Sequence, residues 1–314
     1  MNRVLTITTN PAVDMSTTVA QVVAGPKLRC EAPRWDAGGG GVNVARAIKK
    51  LGGDALALVA VGGALGEKLL SLLAIEEVAV QAVPVSAETR ISFAVTEDAS
   101  NDQYRFGVPG NKLSAQDSDL LLNEITEAAR GHSLAVFSGS VAPGLPDDFV
   151  GRIKSAIAAE ETRLVVDTSA AGLTHLLDHP ERVHVLRLDR AEAEAAAGHS
   201  LNSIEESRQF AKTLVDRGVA EIVVMGRGAD GSILVSADTH IHAWGPPVKV
   251  RSKIGAGDTF VGAFSLALSR NEPLQTALKH GVAGAAATVQ TEGTALCDRQ
   301  EADALFAHCQ CIEF

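Results

Sequence analysis

Short aliphatic and β-branched runs alternate along this chain with longer stretches in which apolar residues recur three or four positions apart. The short runs predict core strands at Val4–Thr9, Ala55–Val61, Leu134–Ser138, Leu164–Asp167, His184–Leu186, Glu221–Met225 and Ser232–Val235. The longer ones predict helices at Val42–Leu51, Glu67–Leu73, Ala115–Ala129, Asp147–Glu160 and Ile204–Arg217. Strand-helix alternation of this kind argues for a mostly parallel sheet covered on both faces. Beyond Gly255 the pattern is mainly helical and fits helices closing one end of the sheet.

Two segments interrupt the alternation. Thr17–Trp35 and Arg90–Arg105 read as polar-faced strands, and together they predict a small β appendage to one domain spanning residues 1–314. Such a flap would cover the carboxyl ends of the main strands, where α/β sheets hold ligands. A small isolated sheet also tends to find a partner, and a second copy of itself would serve.

Composition narrows the class. Of 314 residues, 46% are apolar and only 4% aromatic, which suits an α/β core. The formal charge is −10 with no basic run, which argues against nucleic-acid binding and requires any anion site to concentrate its own cations. No apolar run is long enough to span a bilayer, and the opening residues carry no secretory pattern. Cys30, Cys297, Cys309 and Cys311 have neither disulfide-framework nor zinc spacing. A reduced, cytoplasmic protein is expected.

Candidate chemistry lies in a few clusters. Gly255-Ala256-Gly257-Asp258 precedes an apolar helix, so unpaired amides and a positive helix end would suit a phosphate. Asp258 beside them is either an ordinary cap or a base that takes a proton from an attacking hydroxyl. Asp14, in Asn10-Pro11-Ala12-Val13-Asp14, is either a turn residue or a carboxylate for sugar hydroxyls. Gly38-Gly39-Gly40-Gly41-Val42-Asn43 runs into a helix; the glycines read as room for a ligand against the backbone, with Asn43 offering a donor and an acceptor. Gly226-Arg227-Gly228-Ala229-Asp230-Gly231 has the spacing of a dinucleotide fingerprint, but a strand follows it, so it reads as a hairpin turn. Lys27, Arg90 and Arg105 on the flap are either solvated charges or the cations that meet a substrate phosphate. Asp189 and Glu192 fit both a capping box and a pair of Mg²⁺ ligands.

These motifs, in this order, resemble the ribokinase-like, phosphofructokinase-B sugar kinases from Val4 to about Cys297. The glycine signature at Gly38–Ala47 and the terminal one at Gly255–Asp258 carry the resemblance. Lys27-Leu28-Arg29-Cys30, Gln103-Tyr104-Arg105-Phe106 and Pro246-Pro247-Val248-Lys249 draw it toward the minor, type 2 bacterial 6-phosphofructokinases. The resemblance implies a three-layer α/β/α sandwich with a mostly parallel central sheet and a β-sheet lid through which the chain dimerises. It implies ATP as donor with Mg²⁺, and transfer to the C1 hydroxyl of fructose 6-phosphate. Related 1-phosphofructokinases and tagatose-6-phosphate kinases share most of the marks.

By the same resemblance Asp258 is the base, and the amides of Gly255, Ala256 and Gly257 hold the transferred phosphoryl. Asp14, Gly39, Gly40 and Asn43 hold the sugar hydroxyls; Lys27, Arg90, Arg105 and Ser140 hold its phosphate. Arg187, Asp189, Gly226, Arg227, Gly228, Gly231 and Gly284 face the nucleotide, and Glu192 serves the metal directly or through water. Three positions depart from the family pattern. Arg187-Leu188-Asp189-Arg190-Ala191-Glu192 replaces Lys-Pro-Asn-x-x-Glu, Gly226 replaces a Ser or Thr with Arg227 as a candidate substitute, and Lys253 stands where many relatives have Thr. All three lie on the nucleotide side. They leave open a second class of protein, a sugar-phosphate sensor with weakened nucleotide binding.

Overall fold

The computed structural model describes residues 3–314, so Met1 and Asn2 of the expected 1–314 unit lie outside the described residues. Parallel pairing joins β5 (Ala79–Pro84), β4 (Ala55–Val61), β1 (Val4–Thr8), β8 (Leu134–Ser138), β9 (Arg163–Asp167), β10 (Val183–Leu188) and β11 (Ala220–Gly226), side by side in that order. Three antiparallel strands extend this sheet: β12 (Ser232–Val235), β13 (His240–Trp244) and β14 (Gln310–Glu313). The sequence pattern anticipates most of the inner strands, whose near-continuous apolar runs reflect burial on both faces. It does not anticipate the edge strands β5 and β14 or β13 beside β14, because short strands at the margin of a sheet depend on a neighbour for their pairing.

Alternate residues of each inner strand enter opposite layers. Val59, Val136, Val165, Val185 and Val224 pack with Val44 and Ile48 of α1 (Gly40–Lys50), Phe260 and Phe264 of α8 (Ala256–Ser269), and Leu278 of α9 (Leu274–Thr288). On the other side Leu5, Ile7, Phe137, Val166, Leu186 and Met225 pack with α3 (Ala115–Ala129), α4 (Phe149–Ile157), α5 (Ala170–Asp178) and α7 (Ile204–Asp216). This is the three-layer sandwich expected from the alternation. Of the remaining helices, α2 (Gly63–Ile75) and α10 (Arg299–His308) cover the first layer, and α6 (Arg190–Ala197) follows β10.

A separate four-stranded sheet has the order β3 (Arg34–Gly38), β2 (Ala12–Val19), β6 (Arg90–Glu97), β7 (Gln103–Gly107). Its first strand begins earlier than the Thr17–Trp35 pattern suggests, and β3 runs past that pattern to Gly38. β2 starts at Ala12, three residues after β1 leaves the main sheet, because it pairs in parallel with β6 from Ala12↔Arg90 onward. Residues 20–33 form a connection without strand structure, tied back by the Thr17 hydroxyl to the Glu31 carbonyl at 2.8 Å. The polar alternation there reflects exposure on a loop.

Helix α8 is placed by small residues. A Cβ on Gly262 would lie 3.0 Å from Ala47 Cβ of α1, and one on Gly284 of α9 would lie 3.1 Å from Ala263 Cβ and 3.2 Å from Thr259 Cγ2. Gly284→Val therefore overpacks the α8–α9 contact; a loss of about 1–3 kcal/mol is expected in denaturant unfolding.

Candidate active site

The chain ends of β1, β8, β9 and β10 open toward the N-termini of α1 and α8. Gly255 takes the left-handed conformation, φ 74°, that turns the chain into α8, and Asp258 falls in the first helical turn. Asn43, in the first turn of α1, donates from Nδ2 to Asp258 Oδ2 at 2.9 Å. Asp167 at the end of β9 accepts from Ser138 Oγ at 3.0 Å and from Arg187 Nη1 at 3.0 Å. Arg187 also lies beside two glycines, Gly257 and the variant Gly226. A Cβ on Gly257 would be 3.2 Å from its guanidinium nitrogens, and one on Gly226 would be 3.4 Å from Nη2. Three chain-distant segments thus converge on the α8 N-terminus.

Burial, with the Asp167 charge nearby, pushes the Asp258 carboxyl up to about 7, against the Asn43 hydrogen bond and the Arg187 charge. A carboxylic acid that titrates near neutrality is suited to accept a proton during turnover. Asp14, across the cleft on β2, is raised to about 6, chiefly by burial and also by Asp36, while Arg90, Arg46 and Arg105 oppose the shift.

On this side Arg90 reaches the Asn10 carbonyl at 3.5 Å and the Val108 carbonyl at 3.2 Å. Asn10 Nδ2 donates to Ser140 Oγ at 2.9 Å, so Arg90 and Ser140 meet around Asn10. A cavity there is lined by Asn10, Arg90, Gly110 and Asn111. Arg105 is exposed on β7, with its charge near enough to act on Asp14. Lys27 is exposed in the 20–33 connection and makes no hydrogen bond or ion pair with the described residues. The structure of one chain therefore gathers Arg90 and Ser140 but leaves Lys27 apart.

The fold itself requires the glycine run. A Cβ on Gly38 would fall 2.5 Å from Asp14 Cγ, one on Gly40 would meet Gly139 N and Ser138 Oγ at 2.5 Å, and one on Gly41 would meet Thr8 Oγ1 at 2.5 Å. Three of the four glycines thus make room for the protein's own backbone and for Asp14. Gly39, φ 112°, supplies the turn into α1.

On the nucleotide side the structure corrects several expectations. Gly226–Gly231 is a hairpin turn joining β11 to β12, as its following strand suggests, and Gly231 is packed under the Ala243 carbonyl. Gly228, φ 63°, shapes the single 3₁₀ turn at Gly228–Asp230. Arg227 does not stand in for a hydroxyl facing a phosphate. Its guanidinium is buried against the α6–α7 connection, donating to the carbonyls of Leu201 at 3.0 Å and Asn202 at 3.3 Å and to Ser207 Oγ. Gly284 faces α8, for the packing reason given above. Asp189 and Glu192 form the reciprocal capping box of α6, each accepting from the other's backbone amide at 2.8 Å.

Sequence reasoning missed Asp167, Asn10 and Arg46. Asp167 and Asn10 carry one available signal, a polar residue at or just past the carboxyl end of a core strand. Arg46 has none, since a basic residue in an amphipathic helix reads as exposed.

Residues 7–301 match the pfkB family carbohydrate kinase pattern. The ATP-dependent 6-phosphofructokinase isozyme 2 of Mycobacterium tuberculosis is 37% identical over 97% of this chain and 89% of its own length. The isozyme 2 of Escherichia coli is 36% identical over 98% and 99%. The Escherichia coli phosphofructokinase-2 structure in complex with fructose-6-phosphate superposes with a TM-score of 0.90 at 36% identity, covering 98% of this chain and 99% of that one. Arabidopsis thaliana ribokinase, 17% identical over 96% and 98%, shares the fold with a TM-score of 0.75. The chain belongs to the pfkB family of carbohydrate kinases, with a ribokinase-like fold.

The raised Asp258 carboxyl has a consequence for stability. A carboxyl that binds its proton more tightly when folded stabilises the fold below its unfolded pKa of about 3.9, and that stabilisation is lost as pH rises toward 7. Asp258→Asn does not titrate, so its advantage in unfolding free energy over the wild type is expected to widen by about 2–3 kcal/mol between pH 5 and pH 8. A constant difference across that range would place the carboxyl at an ordinary value.

Proposed function

We propose that this chain is an ATP-dependent 6-phosphofructokinase, transferring the γ-phosphoryl of ATP to the C1 hydroxyl of fructose 6-phosphate. The observation that carries this reading is Asp258, a carboxyl titrating near 7 at a glycine-turned helix N-terminus. Its likeness to two curated 6-phosphofructokinases over nearly the whole chain supports the same reaction. Asp258 takes the C1 hydroxyl proton as the hydroxyl oxygen bonds to the γ-phosphorus. The bridging bond to the β-phosphate breaks, and ADP leaves with the electron pair. The amides of Gly255, Ala256 and Gly257 hold the equatorial oxygens of the phosphoryl in transit. Asp14 and Asn43, with the turn at Gly39 and Gly40, hold the sugar hydroxyls, while Arg90, Arg105 and Ser140 face its phosphate.

Arg187 serves the donor side in this reading. Its guanidinium, anchored by Asp167, lies against Gly257, where negative charge builds on the phosphoryl. The small Gly226 leaves it room. Mg²⁺ fits the same side: Asp189 and Glu192 each keep one carboxylate oxygen outside the capping box, and hard oxygen donors suit the ion. Among the described residues no cluster of three acidic, His or Cys side chains gathers, and Asp189 and Glu192 would hold the ion beside the nucleotide phosphates. The ion neutralises phosphate charge when bound.

We place the protein in the cytoplasm on its four unpaired thiols and phosphorylated substrates. No helix among the described residues is long and apolar enough to cross a membrane. We also propose a homodimer through the small sheets. Tyr104, Phe106 and Val108 are exposed on or beside β7, an edge strand, and Phe106 stacks on Phe93 at 4.6 Å. Lys27, unpaired among the described residues, then has a partner site to reach. A tetrameric inhibited form is known for the Escherichia coli phosphofructokinase-2.

The test is product mass and ADP release across fructose 6-phosphate, fructose 1-phosphate and tagatose 6-phosphate with Mg-ATP. Fructose 6-phosphate is expected to give the highest kcat/KM; no product from any hexose phosphate would overturn the reading. Asp258→Asn should lower kcat by about 10³-fold or more with KM little changed. Arg90→Ala should raise KM for fructose 6-phosphate by about 10-fold or more, whereas a neutral sugar as true acceptor would leave KM unchanged.

A further inference from the structure

Arg46, in the middle of α1, is buried with only 3% of its surface exposed. Burying a guanidinium is costly unless every donor is met, and here the partners are specific. Nε donates to both oxygens of Glu76 at 2.9 and 3.0 Å, and Nη2 lies 2.7 Å from Glu76 Oε1. Nη1 donates to the Ala37 carbonyl at 2.8 Å and to Asn43 Oδ1 at 3.0 Å. Glu76 closes the C-terminus of α2, so a charge pair from two helices ends on the amide that touches Asp258.

The direction of these bonds matters. A guanidinium has donors only, so the atom of Asn43 that faces Arg46 must be the carbonyl oxygen. The amide nitrogen is then the atom left to face Asp258, and it donates there at 2.9 Å. Were the amide flipped, its oxygen would face the carboxylate and oppose ionisation. We propose that Arg46, held by Glu76, is a positioning residue that locks the Asn43 amide so that it supports the ionised form of the catalytic base. The pair thereby sets how far into acid the enzyme keeps working.

Other charges act on the same groups. Asp167 of β9 and Asp14 of β2 oppose ionisation of Asp258, and Arg187 of β10 favours it. Asp36 of β3 lies 3.9 Å from Arg46 and is itself bound by Arg34 and by Thr294 Oγ1. None of these donates to the Asn43 amide, so none replaces Arg46 in orienting it.

The inference rests on Asp258 being the base, and the experiment keeps the two apart. The pH dependence of kcat/KM is measured for the wild type, Arg46→Met, Arg46→Lys and the double variant Arg46→Met/Glu76→Leu, which leaves no buried charge unpaired. Whichever sugar phosphate the wild type turns over best is the acceptor, so a wrong acceptor assignment does not affect the comparison. An acid limb absent from the wild type would count against Asp258 itself. The expected result is an acid-limb midpoint raised by about half to one pH unit in Arg46→Met and in the double variant, with KM for ATP within about twofold. Arg46→Lys, which can still donate to Asn43 Oδ1, should recover part of the shift. Activity lowered equally at every pH, with the midpoint unmoved in the folded double variant, would overturn the proposal and leave Arg46 a packing residue.

Discussion

The hydrogen bond from Asn43 to Asp258 joins the first turn of α1 to the first turn of α8, across 215 residues of chain. The cleft depends on that meeting. Both helices begin at glycines with positive φ, Gly39 and Gly255, and both start at the carboxyl edge of the main sheet. Two helix N-termini aimed at one spot place amides and positive dipole ends around it. An acid set among them is desolvated, yet it retains one donor in Asn43. Its titration near 7 follows from this placement, and the opposing contributions of Asp167 and Arg187 show how closely it is balanced.

Charge distribution explains how an acidic chain can handle anions. The formal charge is −10, yet Arg46, Arg90 and Arg187 are all turned inward around the cleft. Each is anchored by protein acceptors: Glu76 for Arg46, the Asn10 and Val108 carbonyls for Arg90, Asp167 for Arg187. Held cations need less ordering when a phosphate arrives. The exposed Lys27 and Arg105 have no such anchor among the described residues. Two of the three departures from the family pattern also make physical sense together. Gly226 leaves space that the guanidinium of Arg187 approaches, and Asp189 is absorbed into a helix cap.

Much of the architecture was legible in the residues themselves. The inner strands are apolar on both faces, and helices such as α3 and α7 carry a clear period and a Ser cap with an acidic partner three residues on. The turn at Gly226–Gly231 was readable because a strand, not a helix, follows it. The limits were equally physical. Strand β14 has four residues and exists through its pairing with β13, and the small sheet begins at Ala12 because of its register with β6. Neither condition is local.

For the site, the sequence by itself determined which chemistry was available: an acid behind a glycine turn, an asparagine with a donor and an acceptor in the first turn of a helix, and cations on a flap. These are properties of residue type and of short spacing, which a helix start or a turn converts directly into geometry. Only the tertiary structure decided which of them meet. It requires Gly38, Gly40 and Gly41 for close packing, buries Arg227 against a connection and sets Gly284 at a helix crossing, and it brings in Asp167, Asn10 and Arg46. The reason is that burial and hydrogen-bond direction are set by neighbours remote in sequence. An arginine that looks solvated on its own helix is, in the fold, the group that orients Asn43.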